Sequence, residues 1–180
     1  CALALAAEGL AVALVEGREP PRWSPAEPDL RVYAFAPDNA ALLQALGVWP
    51  QVLARRASAY RRMRVWDAGG GGELAFDADA LGRDQLGWIV EHALLVEQLW
   101  AALPAAGVQL HCPARVEAVE ASDERVRLRL DDGSRLDARL AIAADGADST
   151  LRGLAGLDAP AHDYGQRGVV AFVHTELPHQ

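Results

Sequence analysis

The polar residues with the clearest chemical potential stand together near the carboxyl end of the chain. Asp145 and Gly146 directly follow the apolar residues 141–144, and Ser149 and Arg152 come just beyond them. This order predicts a short strand that breaks at Asp-Gly and a helix that begins after the break. A carboxylate and a glycine at such a break form a polar anchor, where the amino terminus of the helix can face a phosphate or a ribose. The alternative is an ordinary Asp-Gly turn without a ligand.

A second candidate lies near the amino terminus. Residues 1–7 are small and apolar at helical spacing, Gly9 ends that helix, and residues 10–15 predict a buried strand closed by Glu16. In a dinucleotide-binding unit, an acidic residue at this strand tip accepts hydrogen bonds from the adenosine ribose hydroxyls. The alternative is an ordinary helix–strand pair with a solvated Glu16. Because the glycine-rich turn of such a unit does not precede residue 1, we expect the chain to be a piece of a longer protein.

The composition is that of a folded chain and limits its partners. Apolar residues make up 51% of the 180 residues and charged residues 23%, as in globular proteins. The net charge is −8 and the basic residues are scattered, so we expect no nucleic-acid partner. The five histidines and two cysteines show no metal-ligand spacing, so we expect no metal site. No apolar run approaches the roughly 20 residues that span a bilayer.

Along the rest of the chain, apolar periodicity and glycine stops predict alternating strands and helices. Strands are predicted at 31–35, 60–67, 73–76, 86–91, 108–112, 115–121, 125–130, 135–140 and 169–174, and further helices at 37–46 and 92–103. The glycine run 69–72 lacks the Lys-Ser/Thr ending of a phosphate loop, so it predicts a hairpin connection.

Six stretches, taken in order, resemble the aromatic-ring hydroxylases that use FAD. They are the predicted helix and strand that end at Glu16, and residues 29–33 (Asp-Leu-Arg-Val-Tyr), 46–49 (Leu-Gly-Val-Trp), 63–67 (Met-Arg-Val-Trp-Asp), 86–91 (Leu-Gly-Trp-Ile-Val-Glu) and 144–149 (Ala-Asp-Gly-Ala-Asp-Ser). The stretches at 86–91 and 144–149 are specific in combination. Within that class the chain looks most like the ubiquinone-biosynthesis hydroxylases. The resemblance implies an α/β fold, an FAD/NAD(P)-binding Rossmann-like domain with an inserted β-rich substrate region. We expect parts of the FAD-binding domain at 1–68 and 106–160, and parts of the substrate-side region at 69–105 and 161–180.

The resemblance also implies roles for individual residues. Glu16 would hold the adenosine ribose of FAD, and Arg31 would neutralise an FAD phosphate or support the flavin chain. Asp145 and Gly146 would lie near the FAD pyrophosphate and the nicotinamide approach, with Arg152 supporting their turn. No catalytic side chain is assigned, because the family's oxygen chemistry belongs to the cofactor.

Trp88, Ile89 and Val90 are the substrate-side candidates, since a polyprenylated ring needs an apolar wall; plain core packing is the alternative for each. One departure concerns the helix after residue 91, where the family carries an Arg or Gln that contacts FAD. The corresponding position is Val96, so either the contact is lost or Glu97 or Gln98 supplies it.

The implied activity is hydroxylation of a polyprenylated phenol or quinol in ubiquinone biosynthesis, with NAD(P)H and O2. Three alternatives stay open: a flavin monooxygenase of another aromatic substrate, a flavin- or NAD-dependent dehydrogenase, and a non-enzymatic interaction domain. We expect a cytoplasmic protein; peripheral association with the inner membrane or a biosynthetic complex, and homo-oligomer formation, are left open. Because the glycine-rich turn and a later flavin-binding segment lie outside residues 1–180, we expect the chain as given to be inactive.

Overall fold

The computed structural model describes residues 1–157 and 159–177. Its helices are α1 (Ala2–Ala7), α2 (Pro37–Ala45), α3 (Trp49–Leu53), α4 (His92–Ala102) and α5 (Thr150–Leu154). Its strands are β1 (Ala13–Val15), β2 (Val32–Phe35), β3 (Ala57–Tyr60), β4 (Arg62–Trp66), β5 (Glu73–Asp77), β6 (Gly87–Glu91), β7 (Gln109–His111), β8 (Val116–Ala121), β9 (Val126–Leu130) and β10 (Arg135–Ala138). The fold is mixed α/β, as the sequence predicts.

The contacts divide the chain into two compact units. The first takes its described residues from 1–12, 20–108 and 169–180, and the second from 13–19 and 109–168. The assignment of sequence ranges to an FAD-binding domain and a substrate-side region stays a prediction.

The first unit is built on a three-stranded antiparallel sheet in the order β2-β6-β3. β6 is the central strand because its Trp-Ile-Val run suits a position with a neighbour on each side. Val90 is fully buried, and Trp49 of α3 meets the Trp88 ring edge-on with 5.2 Å between ring centroids. α2 ends before Gly47, whose φ of +71° supports the predicted glycine stop.

A separate hairpin in this unit joins β4 and β5 through the glycine run, as predicted. One face carries the exposed apolar side chains Met63, Val65, Leu74 and Phe76. The other face carries ion pairs between the strands, including Arg64 with Glu73 at 2.7 Å. The glycines therefore connect the two strands of a hairpin.

The second unit holds the parallel pair β1-β7 and the antiparallel meander β8-β9-β10. The meander follows the predicted pattern, with Gly133 at φ +82° in the turn between β9 and β10. Leu130, at the end of β9, is fully buried and anchors the meander. Parallel pairing of β1 with β7 places both strand ends at the same edge.

Four predictions of strand extent are wrong. The strand predicted at 10–15 covers only Ala13–Val15, and Leu10 is 55% exposed. The strand predicted at 60–67 is present but shorter, as β4, and Tyr60 instead ends β3, which pairs with a different neighbour. Residues 141–144 and 169–174 form no strand, since no described segment pairs with them and Val169 is 92% exposed. An apolar run becomes a strand only where a neighbour completes its hydrogen bonds.

Among the residues that the structure describes, no helix has the length and apolar character that crossing a bilayer requires. The same part of the chain contains no group of three or more His, Cys, Asp or Glu side chains that could hold a metal ion.

Candidate functional site

Glu16 stands directly after β1, at the carboxyl end of the parallel pair. Its backbone is fixed on both sides, because its N–H donates to the carbonyl of His111 at 3.0 Å and its carbonyl accepts from Ala114 at 2.9 Å. The exposed carboxylate accepts one hydrogen bond, from the Arg18 N–H to Oε1 at 3.0 Å. Within the described residues Oε2 accepts none. A carboxylate held in this way can accept hydrogen bonds from ribose hydroxyls.

Arg115 lies beside Gly17, the residue after Glu16, and the sequence patterns do not predict this contact. A Cβ on Gly17 would lie 3.3 Å from Cγ and 3.4 Å from Nε of Arg115. The Arg115 side chain therefore lies against the backbone beside Glu16. Its backbone is tied to Asp131, whose Oδ1 accepts its N–H at 3.0 Å. Arg115 is an additional candidate for contact with a nucleotide, and no local pattern announces it.

Asp145 uses its carboxylate to join the turn to the start of α5. It accepts the Ser149 hydroxyl and, at 3.0 Å through Oδ2, the N–H of Leu151. Burial acts to raise the pKa of Asp145, but the hydrogen bonds from Ser149 and from backbone N–H groups outweigh it and hold the pKa below its usual value. The predicted helix after the turn is present, and Asp145 positions it.

Two further contacts complete this turn. Ser149 caps α5, since its Oγ accepts the N–H of Arg152 at 3.0 Å. The Arg152 guanidinium donates to the carbonyl of Ala147 at 2.8 Å, so this side chain does support the turn. Gly146 has a φ of +87°, and a Cβ there would meet nothing within 4 Å. Glycine is required for its conformation and leaves an open approach to the backbone.

Arg31 immediately precedes β2 in the first unit and is exposed. Its N–H donates to Oδ1 of Asp29 at 2.9 Å, and its carbonyl accepts the N–H of His92 at 2.8 Å. The guanidinium lies over the Tyr33 ring at 5.9 Å from the centroid and forms no ion pair within the described part of the chain. It therefore keeps its charge and its donors for an anionic group.

The three substrate-side candidates lie on β6 but not on one face. Trp88 is opposite Phe35 and Val90 opposite Tyr33, so these two side chains share the face that Trp49 covers. Ile89 points to the other face. Fully buried Val90 matches the core alternative, whereas Trp88 is half-buried and also lines an open depression with Pro37 and residues 82–85. A role in substrate contact stays a prediction.

The helix position expected to contact flavin has no assigned side chain. Gln98 is 8% exposed and already bonded, since its Oε1 accepts from Arg55 at 3.0 Å and its Nε2 donates to Glu97 at 3.1 Å. Glu97 in turn accepts the N–H of Trp23 at 3.4 Å. These polar groups are therefore used in holding α4 to its neighbours, and Val96 offers no hydrogen bond.

The donor and acceptor sets fit FAD, taken unit by unit. The second unit presents an acidic acceptor with a free oxygen at Glu16 and an open glycine turn at Gly146. The first unit presents Arg31, a cation that has no ion partner among the residues that the structure describes. Acceptors for ribose hydroxyls and a cation for phosphate are what a dinucleotide cofactor requires.

Comparison with known proteins agrees with this chemistry. Residues 1–179 match the family model described as FAD binding domain. The chain is 37% identical over 177 residues to 3-demethoxyubiquinol 3-hydroxylase of Escherichia coli (strain K12), covering 97% of this chain and 45% of that protein. It is 33% identical over 182 residues to ubiquinone hydroxylase UbiL of Rhodospirillum rubrum, covering 99% of this chain and 42% of that protein.

A solved structure shows the same fold. The p-nitrophenol 4-monooxygenase PnpA from Pseudomonas putida DLL-E4 matches with a TM-score of 0.67 and 24% identity, over 86% of this chain and 40% of that one. The chain thus spans less than half the length of each of these three proteins. Because the family model matches nearly every residue, the chain belongs to the FAD-binding domain family.

Proposed function

We propose that this chain belongs to an FAD-dependent monooxygenase that hydroxylates the aromatic ring of a polyprenylated phenol or quinol in ubiquinone biosynthesis, with NAD(P)H as reductant. The observation that carries the proposal is the 37% identity, over 97% of the chain, to a protein named for hydroxylation of a ubiquinol precursor. The carboxylate of Glu16 and the guanidinium of Arg31, which has no ion partner among the described residues, support the binding of FAD.

FAD, when bound, would supply the redox chemistry, with NAD(P)H as the reductant and O2 as the source of the oxygen atom. The protein binds and orients the cofactor and the substrate, and it excludes water from them. Glu16 would accept hydrogen bonds from the adenosine ribose, and Arg31 would donate to an FAD phosphate. Asp145 holds the turn that leaves the Gly146 backbone open to the pyrophosphate side of the cofactor. Trp88 contributes an apolar wall on the substrate side.

The substrate class suggests where the protein works. A polyprenyl tail partitions into a bilayer because each buried CH2 group contributes about 0.8 kcal/mol. The protein therefore acts in the cytoplasm at the surface of the inner membrane, as a peripheral protein. Flotation with anionic phospholipid vesicles tests this part of the proposal separately from the chemistry.

The decisive experiment uses the protein with its bound flavin. NAD(P)H oxidation and oxygen uptake are measured with and without a short-chain polyprenyl phenol, and the product is identified by mass spectrometry. The proposal expects faster NAD(P)H oxidation with the phenol and a product heavier by one oxygen atom. Oxidation without oxygen uptake would indicate a dehydrogenase, and turnover of other phenols but not polyprenylated ones would indicate a different aromatic substrate.

A further inference from the structure

Asp29 connects the segment before β2 to the start of α4 through both oxygens of its carboxylate. Oδ1 accepts the N–H of Arg31 at 2.9 Å, and Oδ2 accepts the N–H of Ala93, in the first turn of α4, at 2.9 Å. The N–H of Asp29 itself donates to Oε2 of Glu91 at 3.0 Å. Glu91 therefore fixes the backbone of Asp29, and the carboxylate of Asp29 in turn fixes the backbone of Arg31.

Glu91 is a suitable anchor because it is buried and fully engaged. It is 6% exposed and forms an ion pair with Arg56 at 3.0 Å through Oε1. Its Oε2 also accepts the indole N–H of Trp23 at 3.1 Å. A buried carboxylate with an ion partner and several donors keeps one orientation, because losing any of these partners leaves it unsatisfied. The irregular segment before β2 is fastened at this point.

These contacts fix the backbone of Arg31, and its side chain lies over an aromatic ring. The N–H and the carbonyl are both bonded, to Asp29 and His92. The guanidinium lies over the ring of Tyr33, whose hydroxyl is 2.8 Å from Nδ1 of His92. The backbone of Arg31 is thus fixed before an anion binds, and within the described residues its guanidinium forms no ion pair.

We propose that Asp29, held by Glu91, is a positioning residue that fixes Arg31 for the phosphate of FAD. The inference rests on the proposed function, because it takes Arg31 as the phosphate contact. Asp29 touches no cofactor in this assignment. Burial acts to raise the pKa of Asp29, but the hydrogen bonds from the N–H groups of Arg31 and Ala93 outweigh it and keep the pKa below its usual value, so the carboxylate is ionised at neutral pH.

The test is a double-mutant cycle on FAD affinity. The full-length protein that contains this chain, and its variants Arg31→Ala, Asp29→Ala and Asp29→Ala/Arg31→Ala, are stripped of flavin and titrated with FAD by fluorescence quenching. Arg31→Ala is expected to raise the Kd about tenfold, as for loss of a charge-assisted hydrogen bond. Asp29→Ala is expected to raise it about fivefold alone and to have no further effect in the Arg31→Ala background.

Two controls separate positioning from folding. Asp67→Ala removes the same local contact elsewhere, a carboxylate that accepts the N–H two residues on, at 2.8 Å from Gly69, and should leave the Kd unchanged. Asp29→Asn keeps one acceptor oxygen and should give an intermediate Kd, so it serves if Asp29→Ala does not fold. Thermal melting of each apoprotein identifies variants that are folded.

The outcomes distinguish the positioning role of Asp29 from the proposed FAD-dependent function. An equal loss of affinity for Asp29→Ala with and without Arg31 would show a purely structural role and overturn the proposal. Normal binding by Asp29→Ala, or by Arg31→Ala, would also overturn it while leaving FAD binding intact. Failure of the parent protein to bind FAD would instead overturn the proposed function.

Discussion

At the residue scale, the capacity of Glu16 to hold a ribose depends on one free carboxylate oxygen. Glu16→Ala should weaken FAD binding by about tenfold, as expected for loss of hydrogen bonds to a charged acceptor. The free energy of unfolding should change by less than about 0.5 kcal/mol, because the side chain is exposed. FAD titration and denaturant unfolding measure the two quantities. Glu19→Ala, three residues on and also exposed, is the matched control; an unchanged FAD affinity for Glu16→Ala would remove the ribose assignment.

Gly146 needs its conformation rather than its small volume. Its φ is +87°, yet a Cβ would meet nothing within 4 Å. Gly146→Ala should therefore destabilise the protein by about 1 kcal/mol through backbone strain alone. Gly153, in α5, has equal space but no positive φ, so Gly153→Ala should stabilise by up to about 1 kcal/mol. Denaturant unfolding compares them, and equal effects would contradict the conformational argument.

Local sequence patterns predict some site residues but not the long-range partners that position others. Glu16 follows from an apolar run ending in a carboxylate. Asp29 had a local signal, its place two residues before Arg31, where a side-chain carboxylate commonly accepts the backbone N–H. Glu91 had none, because its contact with Asp29 spans 62 positions of the chain. The commitment of Asp145 to Ser149 and Leu151 depends on where α5 begins, which a pattern locates only within a few residues.

At the element scale, β6 can be central only because Gly87 lies where another strand comes close. A Cβ there would lie 2.0 Å from the carbonyl oxygen of Phe35, a backbone atom that cannot rotate away. Gly87→Ala should cost about 3 kcal/mol or more, at the upper end of overpacking effects. Gly72→Ala, with nothing within 4 Å and no positive φ, should be near neutral. Thermal melting of both variants tests the prediction, and a stable Gly87→Ala protein would refute the register of β2 on β6.

The start of α5 should respond to acid through Asp145. Its pKa is lowered in the folded protein, so its contribution to stability is complete above the ordinary carboxyl range near about 3.9 and is lost as the pH falls through the lowered pKa. The stability difference between the parent and Asp145→Asn should therefore shrink below about pH 4. Unfolding at several pH values measures it. Ser149→Ala should raise the pKa of Asp145 by removing a donor; a pH-independent difference would contradict the argument.

The elements predicted well are those whose signals are local. Glycine stops, the Asp-Gly-Ser turn and alternation in the meander depend on neighbours in sequence, and they located α2, α4 and β8 to β10. α3 was missed, although Trp49 and Val52 are among its buried residues, because five residues give no helical period. The apolar residues 141–144 and 169–174 were assigned to strands on composition alone. Their state depends on pairing partners, which composition does not specify.

At the scale of the whole molecule, the family assignment rests on several modest signals that agree. No single stretch of the sequence identifies an FAD-binding domain. The stretches at 86–91 and 144–149 indicate it only in combination, and the family match over residues 1–179 agrees with that indication. The substrate is a finer question, because residues that hold the cofactor are shared by enzymes with different substrates.

Coupling of NAD(P)H oxidation to hydroxylation is a property of the whole protein that Trp88 can test. Its ring packs edge-on against Trp49, but it also lines the depression beside Pro37. Trp49 is 5% exposed and is not among the residues that line this depression. Either Trp→Ala change should destabilise the protein by about 3–5 kcal/mol.

If Trp88 also excludes water from the reacting centre, its loss should have a second effect that loss of Trp49 lacks. Trp88→Ala should release more hydrogen peroxide per NAD(P)H consumed, whereas Trp49→Ala should keep the parental ratio in the fraction that stays folded. Peroxide yield and thermal melting, measured for both variants, distinguish a role of Trp88 in excluding water from a role in core packing alone. An equal peroxide yield from the two variants would assign Trp88 to the core alone and leave the substrate side of β6 to other residues.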